Sequence, residues 1–267
     1  MYADLHIHTN ASDGTWNIEE LLNNIINKNI SLFSITDHDT FENSVKMLKR
    51  TLNYDGRFVI GCETSCSYNG TVYHITTYNF DHKNRKFQEL LIANKKVWNQ
   101  FNDDIIKSLS IKNLNISFNK YQEYHYSRSR GASKSINFLM DEGIINTLSE
   151  FVKLMGTLNC TLEYQAPEVV LNILKQAGAT TFLAHPSAYT KSFLHYDELD
   201  KWLEFGVSGF ECYSPYSKSN DSVKYVEYCN NNHALISGGS DCHGNFLPER
   251  KLGHPQIKPD QLNLNFL

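Results

Sequence analysis

Short apolar runs alternate with longer stretches of helical periodicity at both ends of this 267-residue chain, and that alternation narrows the fold more than any other feature. Strand followed by helix followed by strand is satisfied by parallel strands with crossover helices, open or closed into a barrel. The runs that read as strands are Asp4–His8, Leu32–Thr36, Phe58–Cys62, Thr71–Tyr78, Thr180–Ala184, Val207–Cys212 and Ala234–Ser237. After Asn17, residues Ile18, Leu21, Leu22, Ile25 and Ile26 recur at helical spacing. Asp39 or Thr40 is placed to cap a helix running through Leu48 and Leu52. Further helices are expected over Val169–Gln176, Leu199–Phe205 and Val223–Asn231. The middle differs: from Lys83 to Asn172 the pattern is almost wholly helical, including a helix around Ile136, Phe138, Leu139 and Met140 that Gly143 closes. The expected organisation is a barrel of residues 1–82 and 173–267, with residues 83–172 inserted as a helical cap over its site.

Hydrophobic residues make up 41% of the chain and charged residues 20%, enough to bury a core and too apolar for disorder. The 25 Lys+Arg against 29 Asp+Glu give a net charge of −4, which argues against a general nucleic-acid coating protein or a polybasic membrane anchor. A small anionic substrate at a local cationic site remains compatible with it. No apolar run reaches the roughly 18 residues that a spanning helix needs, so no membrane association is expected. The first residues resemble neither a signal nor a transit peptide. The six cysteines form no CxxC pair and read as reduced thiols of a cytoplasmic protein. Cys62 and Cys66 have no matching second pair that would make a zinc finger.

Histidine is the unusual residue, with 11 copies. On a strand, side chains alternate, so His6 and His8 project from one face while Leu5 and Ile7 face the core. Two imidazoles on one rigid strand end are half of a metal site. Asp13 follows in Ser12-Asp13-Gly14. His38 sits in Thr36-Asp37-His38-Asp39 after the second strand, and Glu63 follows Gly61-Cys62 at the end of the third. His74 lies inside the fourth, His185 ends the strand after the insertion, and Asp241 and His243 follow the last in Ser240-Asp241-Cys242-His243-Gly244. Catalytic groups of βα-barrels gather where the C-terminal ends of strands converge. These six histidines and three carboxylates are too many for one ion. Imidazole and carboxylate without thiolate suit Zn, Mn or Fe, two or three ions in all. Such clusters bind phosphoryl groups and activate water. No nucleophile elbow, P-loop or dinucleotide fingerprint is present. His82, His125, His195, His233 and His254 fall in loops, turns or the insertion and read as surface residues, with His125 the one candidate cap contributor.

The segments DLHIHTNASDG, ITDHDT, GCE, VYHI, FLAHP and GGSDCHG, in that order, resemble the PHP (polymerase and histidinol phosphatase) family of metal-dependent phosphoesterases. NILKQAGATTFLAHP, GVSGFECY and the late KLG add to the likeness, which spans essentially the whole chain. The resemblance implies a distorted (β/α)7 TIM-like barrel and three metal sites: His6, His8, Glu63 and Asp241; Asp13, His38 and His243; and Glu63, His74 and His185, with Glu63 bridging. Asp13 with ITDHDT is more similar to the nucleotide and nucleoside 3′,5′-bisphosphate phosphatase branch than to histidinol-phosphate phosphatases. One departure stands out. Relatives often carry Gly-Arg-Pro-His in the insertion, with Arg and His reaching the substrate phosphate, where this chain has Gly131-Ala132-Ser133-Lys134.

The resulting expectation is a cytoplasmic phosphatase of a small phosphate monoester, a nucleoside 3′,5′-bisphosphate or 5′-monophosphate, attacked by a metal-bridging hydroxide. Arg128, Arg130 or Lys134 would clamp the phosphate from the cap, and Tyr213, Ser214 or Ser217 would line the mouth. Cys242, between two expected ligands, would point away into packing. The alternatives are a histidinol-phosphate phosphatase, a 5′-to-3′ oligoribonuclease acting on short oligoribonucleotides, and, from another class, a non-catalytic metal-binding regulatory module.

Overall fold

The computed structural model describes residues 1–52, 54–112 and 116–266. Seven strands form one mixed sheet in chain order: β1 (Tyr2–Asp4), β2 (Ile30–Ile35), β3 (Arg57–Tyr68), β4 (Thr71–Tyr78), β5 (Thr180–Leu183), β6 (Gly209–Tyr213) and β7 (Leu235–Gly238). The first and last strands meet where Leu5 N donates to Gly238 O (3.1 Å) and His8 N to Cys242 O (2.9 Å), giving the distorted barrel. Ala3, Leu32, Val59, Tyr78 and Phe182, one from each of five successive strands, pack together against Leu262, Leu264 and Phe266 near the C-terminus. A fully buried side chain the size of Leu32 or Phe182 stabilises by about 1.5–3 kcal/mol. The alternate residues of β2, Phe33 and Ile35, face outward onto Leu21 and Ile25 of α1 (Ile18–Asn27) and Met47 of α2 (Glu42–Arg50).

Two local readings are corrected. The sheet is not uniformly parallel, because β4 runs antiparallel to both β3 and β5. Asn69 and Gly70 both adopt positive φ (50° and 76°), the two-residue hairpin turn that reverses the chain there. Consequently Glu63 lies in the middle of a long β3 instead of at a strand end. Asn17 does cap α1, through a capping box with Glu20, but neither Asp39 nor Thr40 is the N-cap of α2. That position is Phe41, while Thr40 Oγ1 accepts from Glu42 N and the Asp39 carboxylate turns to Ser65 and Asn94.

Between β4 and β5 lie α3 (Arg85–Ile111), α4 (Phe118–Glu123), α5 (Lys134–Asp141), α6 (Leu148–Met155) and α7 (Pro167–Gln176). The long α3 joins two cores. Its Phe87, Leu90 and Leu91 pack with the barrel-side residues Ile75, Leu183 and Phe210. Its Ile105, Ile106 and Leu109 belong to a separate cluster with Tyr121, Ile136, Phe138 and Leu139. The expected boundary at Asn172 falls inside α7, whose Val170, Leu171 and Leu174 pack with the barrel side. After β5 come α8 (Pro186–Thr190), α9 (Tyr196–Phe205) and, beyond β6, α10 (Ser219–Asn231). No helix among the described residues is long and apolar enough to cross a membrane, and all six cysteines are free.

Candidate metal centre

β1 ends at Asp4, yet the chain continues extended, with Ile7 bridged to Cys242 on one side and Thr36 N donating to Ile7 O (2.8 Å) on the other. The alternation therefore persists: Leu5 and Ile7 enter apolar clusters while His6 and His8 turn together into the barrel mouth, their Nε2 atoms 3.1 Å apart. Asp37, just past β2, braces the following loop. Its oxygens accept from Thr9 N (2.7 Å), Thr9 Oγ1 (2.6 Å) and Ser12 Oγ (2.6 Å), which places the adjoining Asp13. His185 and Asp241 hold left-handed backbone (φ 32° and 49°), strain of the kind that collects where side chains must be aimed. Cys242 between the last two site residues is buried in an apolar cluster.

All nine expected ligands converge. Glu63, fully buried, is the hub: its Oε2 lies 3.3 Å from His6 Nε2, 3.2 Å from His8 Nε2 and 3.0 Å from His38 Nδ1. Its Oε1 lies 3.1 Å from His185 Nε2 and 3.4 Å from His74 Nδ1. Asp241 Oδ1 approaches His8 Nε2 at 3.1 Å and His6 Nε2 at 3.4 Å, and Asp13 Oδ2 approaches His243 Nε2 at 3.2 Å. The side chains of Asp13 and His38 are each 30% exposed, so that flank opens to solvent.

The electrostatics follow from this crowding. Burial works against charge on His6 and His8, but the surrounding carboxylates outweigh it, holding His6 well above the ordinary imidazole range and His8 up to about 10. His38 goes the other way, down to about 3, because burial and the neighbouring His8 and His74 outweigh Glu63 and Asp13. Burial also opposes ionisation of Asp13, Glu63 and Asp241, yet the imidazoles around them keep all three well below the usual carboxylate range.

These contacts are poor hydrogen bonds and good ligand spacings. Glu63 Oε2, His74 Nδ1 and His185 Nδ1 are buried without a hydrogen-bond partner. Two ligands held at about 2.0–2.1 Å from one tetrahedral ion sit about 3.3 Å apart, the separation found between these facing atoms. Four overlapping groups can hold an ion: His8, Asp13, His38 and His243; His6, His8 and Asp241; His6, Glu63 and His185; and His38, Glu63 and His74. The donors are nitrogen and oxygen only, which fits a borderline transition metal and not a thiolate site.

Beside the cage opens a cavity of about 790 Å³, walled by residues of the α3–α6 region and by the loops after β6 and β7. Arg128 and Lys134 line it, but Arg130 does not. Arg130 is engaged by Asp141 in a two-point pair at 2.8 Å with each oxygen, which turns its guanidinium away. Lys134 is partly committed as well, donating to Gln122 O (3.1 Å) over the Tyr121 ring. Tyr213, Ser214 and Ser217 also lie off the cavity, with Ser214 and Ser217 bonded to each other. Their loop instead sends in Tyr216, whose hydroxyl donates to Asp241 Oδ2 (2.7 Å), and the loop after β7 sends in Arg250, which donates to the same oxygen at 2.7 Å. In the departing segment, Ala132 N donates to Asp13 O (2.9 Å), tying that backbone to the loop that carries Asp13. Of the five histidines read as surface residues, His125, His195, His233 and His254 are exposed and His82 is half-buried; none lines the cavity. Sequence reasoning missed Glu211, Tyr216 and Arg250. A carboxylate inside the apolar run of β6 was the one local signal among them.

The PHP domain family matches residues 4–183. The 5′-3′ exoribonuclease Rnm of Escherichia coli K12 is 23% identical over 256 residues, covering 90% of this chain and 84% of its own. The phosphoribosyl 1,2-cyclic phosphate 1,2-diphosphodiesterase of Eggerthella lenta is 21% identical over 262 residues, covering 92% and 95%. A Bifidobacterium adolescentis structure named for metal-dependent phosphoesterases superposes with a TM-score of 0.82 at 19% identity, covering 97% of this chain and 93% of the other. An amidohydrolase structure from Chromobacterium violaceum, with sulfate bound and no metal, gives 0.78 at 19% identity with the same coverage.

Proposed function

The chain belongs to the PHP domain family, and from that premise we propose that it hydrolyses a phosphate monoester of a nucleotide, a nucleoside 3′,5′-bisphosphate or 5′-monophosphate, with two or three Zn, Mn or Fe ions held by His6, His8, Asp13, His38, Glu63, His74, His185, Asp241 and His243. The observation that carries this reading is the set of imidazoles and carboxylates facing one another at ligand spacing beside an aromatic-walled cavity that Arg128 and Lys134 also line. When bound, the ions supply a nucleophile from water at neutral pH and offset charge on the phosphoryl oxygens. The chain's own residues do the rest. Glu63 holds the ligand groups in register, and Tyr216 and Arg250 fix the Asp241 carboxylate.

Arg128 lines the cavity and its guanidinium makes no ion pair among the described residues, so it is the strongest candidate for the phosphate clamp. A planar guanidinium can take two phosphate oxygens at once, whereas the Lys134 ammonium acts as a point charge. Trp98 and Tyr126 supply the apolar faces a nucleobase would stack on, and helices between Lys83 and Asn172 act as a cap that limits water. Free, mostly buried cysteines support a cytoplasmic protein. A 5′-to-3′ oligoribonuclease is the second reading, favoured by the Escherichia coli relative's name.

Metal-loaded protein assayed with nucleoside monophosphates, 3′,5′-bisphosphates, histidinol phosphate and a 5′-phosphorylated oligoribonucleotide distinguishes the readings. Phosphate release from nucleotides, abolished by a chelator, is the expected result. Mononucleotide release from the oligomer alone would favour the second reading. Inactivity on every ester while metal stays bound would overturn the enzyme reading.

A further inference from the structure

We propose that Glu211 is a positioning residue of the metal cage, one carboxylate oxygen holding both the His6 ring and the His185 backbone. The inference rests on the metal-binding reading above. Phe210 and Cys212 on β6 pack into the core beneath the helices. By strand alternation, the side chain of Glu211 therefore points the other way, into the barrel. It is fully buried there. Its Oε2 accepts from His6 Nδ1 at 2.7 Å and from His185 N at 3.3 Å.

Both contacts bear on the cage. An imidazole whose Nδ1–H is held by a carboxylate presents the lone pair of Nε2 on its opposite edge. In His6 that edge faces His8 Nε2 (3.1 Å), Glu63 Oε2 (3.3 Å) and Asp241 Oδ1 (3.4 Å). A flipped ring or the other tautomer would aim an N–H at the place where a cation must sit. The contact with His185 N pins a residue whose left-handed backbone (φ 32°) is unfavourable for any side chain. Glu211 Oε1, by contrast, is buried without a hydrogen-bond partner. A carboxylate so placed is costly for folding. What it delivers is a fixed ring and a more basic Nε2, the arrangement by which outer residues strengthen metal ligands.

The test compares wild type with Glu211→Gln and Glu211→Ala, titrated with zinc, with histidine ring nitrogens and their attached protons followed by NMR in the zinc-loaded state. Gln keeps an acceptor for Nδ1–H and loses the charge; Ala loses both. Wild type is expected to show a slowly exchanging His6 Nδ1–H with Nε2 on the metal side. Gln should keep that proton while zinc affinity falls severalfold. Ala should lose the protected proton and bind zinc about 10–100-fold more weakly. If Ala does not fold, the affinity of the Gln variant decides: an unchanged value overturns the proposal. Unchanged affinity and an unchanged His6 signal in Ala would overturn it as well. Failure of wild type itself to bind zinc would instead defeat the metal reading beneath it.

Discussion

Glu63→Gln removes one charge from the centre of the cage and hardly changes its shape. Five imidazole nitrogens lie within 3.0–3.4 Å of the two carboxylate oxygens. Shared by two oxygens, the carboxylate charge lies on average about 3 Å from an ion that one of them holds, where at an effective dielectric near 20 one unit of opposite charge is worth about 5 kcal/mol. Halving that for charge shared with other ligands and for solvent leaves about 2.5 kcal/mol, close to two decades in affinity. The loss is not spread evenly. Glu63 takes part in the groups with His6 and His185 and with His38 and His74, whereas His8, Asp13, His38 and His243 form a group without it. The variant should therefore lose the ion held near His74 and His185 and keep the one beside Asp13. Metal content by mass spectrometry, after zinc loading and desalting, should fall by at least one ion per chain, and nucleotide hydrolysis should fall with it. Full stoichiometry at unchanged affinity would refute Glu63 as the bridging ligand.

Arg128→Ala should raise KM for nucleotides by about tenfold or more, the effect of losing one charge-assisted contact. Arg130→Ala should leave kcat/KM unchanged and cost no more than about 1 kcal/mol of stability, since its exposed pair with Asp141 is structural; equal kinetic losses in both variants would contradict that division. Metal uptake should release protons at neutral pH. With its pKa raised to about 10, His8 binds a proton in the metal-free fold, and that stabilising contribution is complete below about 6.5 and lost as pH rises through about 10. Binding requires the neutral ring, so zinc affinity should climb with pH over the same interval. Calorimetry in two buffers of different ionisation enthalpy checks this, and a heat independent of buffer would refute it.

The candidate metal centre was legible because the residue types are rare and the strand period is rigid. His6 and His8 share a face whether or not the backbone counts as a strand at that point, and each remaining candidate ligand sits beside an apolar run that the fold must bring to the same mouth. The reversal at β4 was also written in the chain, as Asn69-Gly70, but the strand–helix rhythm on either side masked it. Arg250 and Tyr216 carry no local signal, since irregular loops bring them to Asp241 and only the folded path fixes the meeting. The choice between Arg128 and Arg130 was likewise invisible in one dimension: two arginines of equal chemistry differ because Asp141 captures one of them. Glu211 stood in the sequence as an ionisable residue inside a buried strand, a pattern that points inward by alternation and needs only a partner to acquire a role.

Anomalous diffraction from zinc-grown crystals, recorded on both sides of the zinc edge, tests the central claim most directly. Two or three peaks inside the cage are predicted, with Glu63 touching more than one of them and Asp13 and His243 ligating the ion nearest the cavity. A cage without peaks while zinc binds elsewhere on the chain would contradict the account.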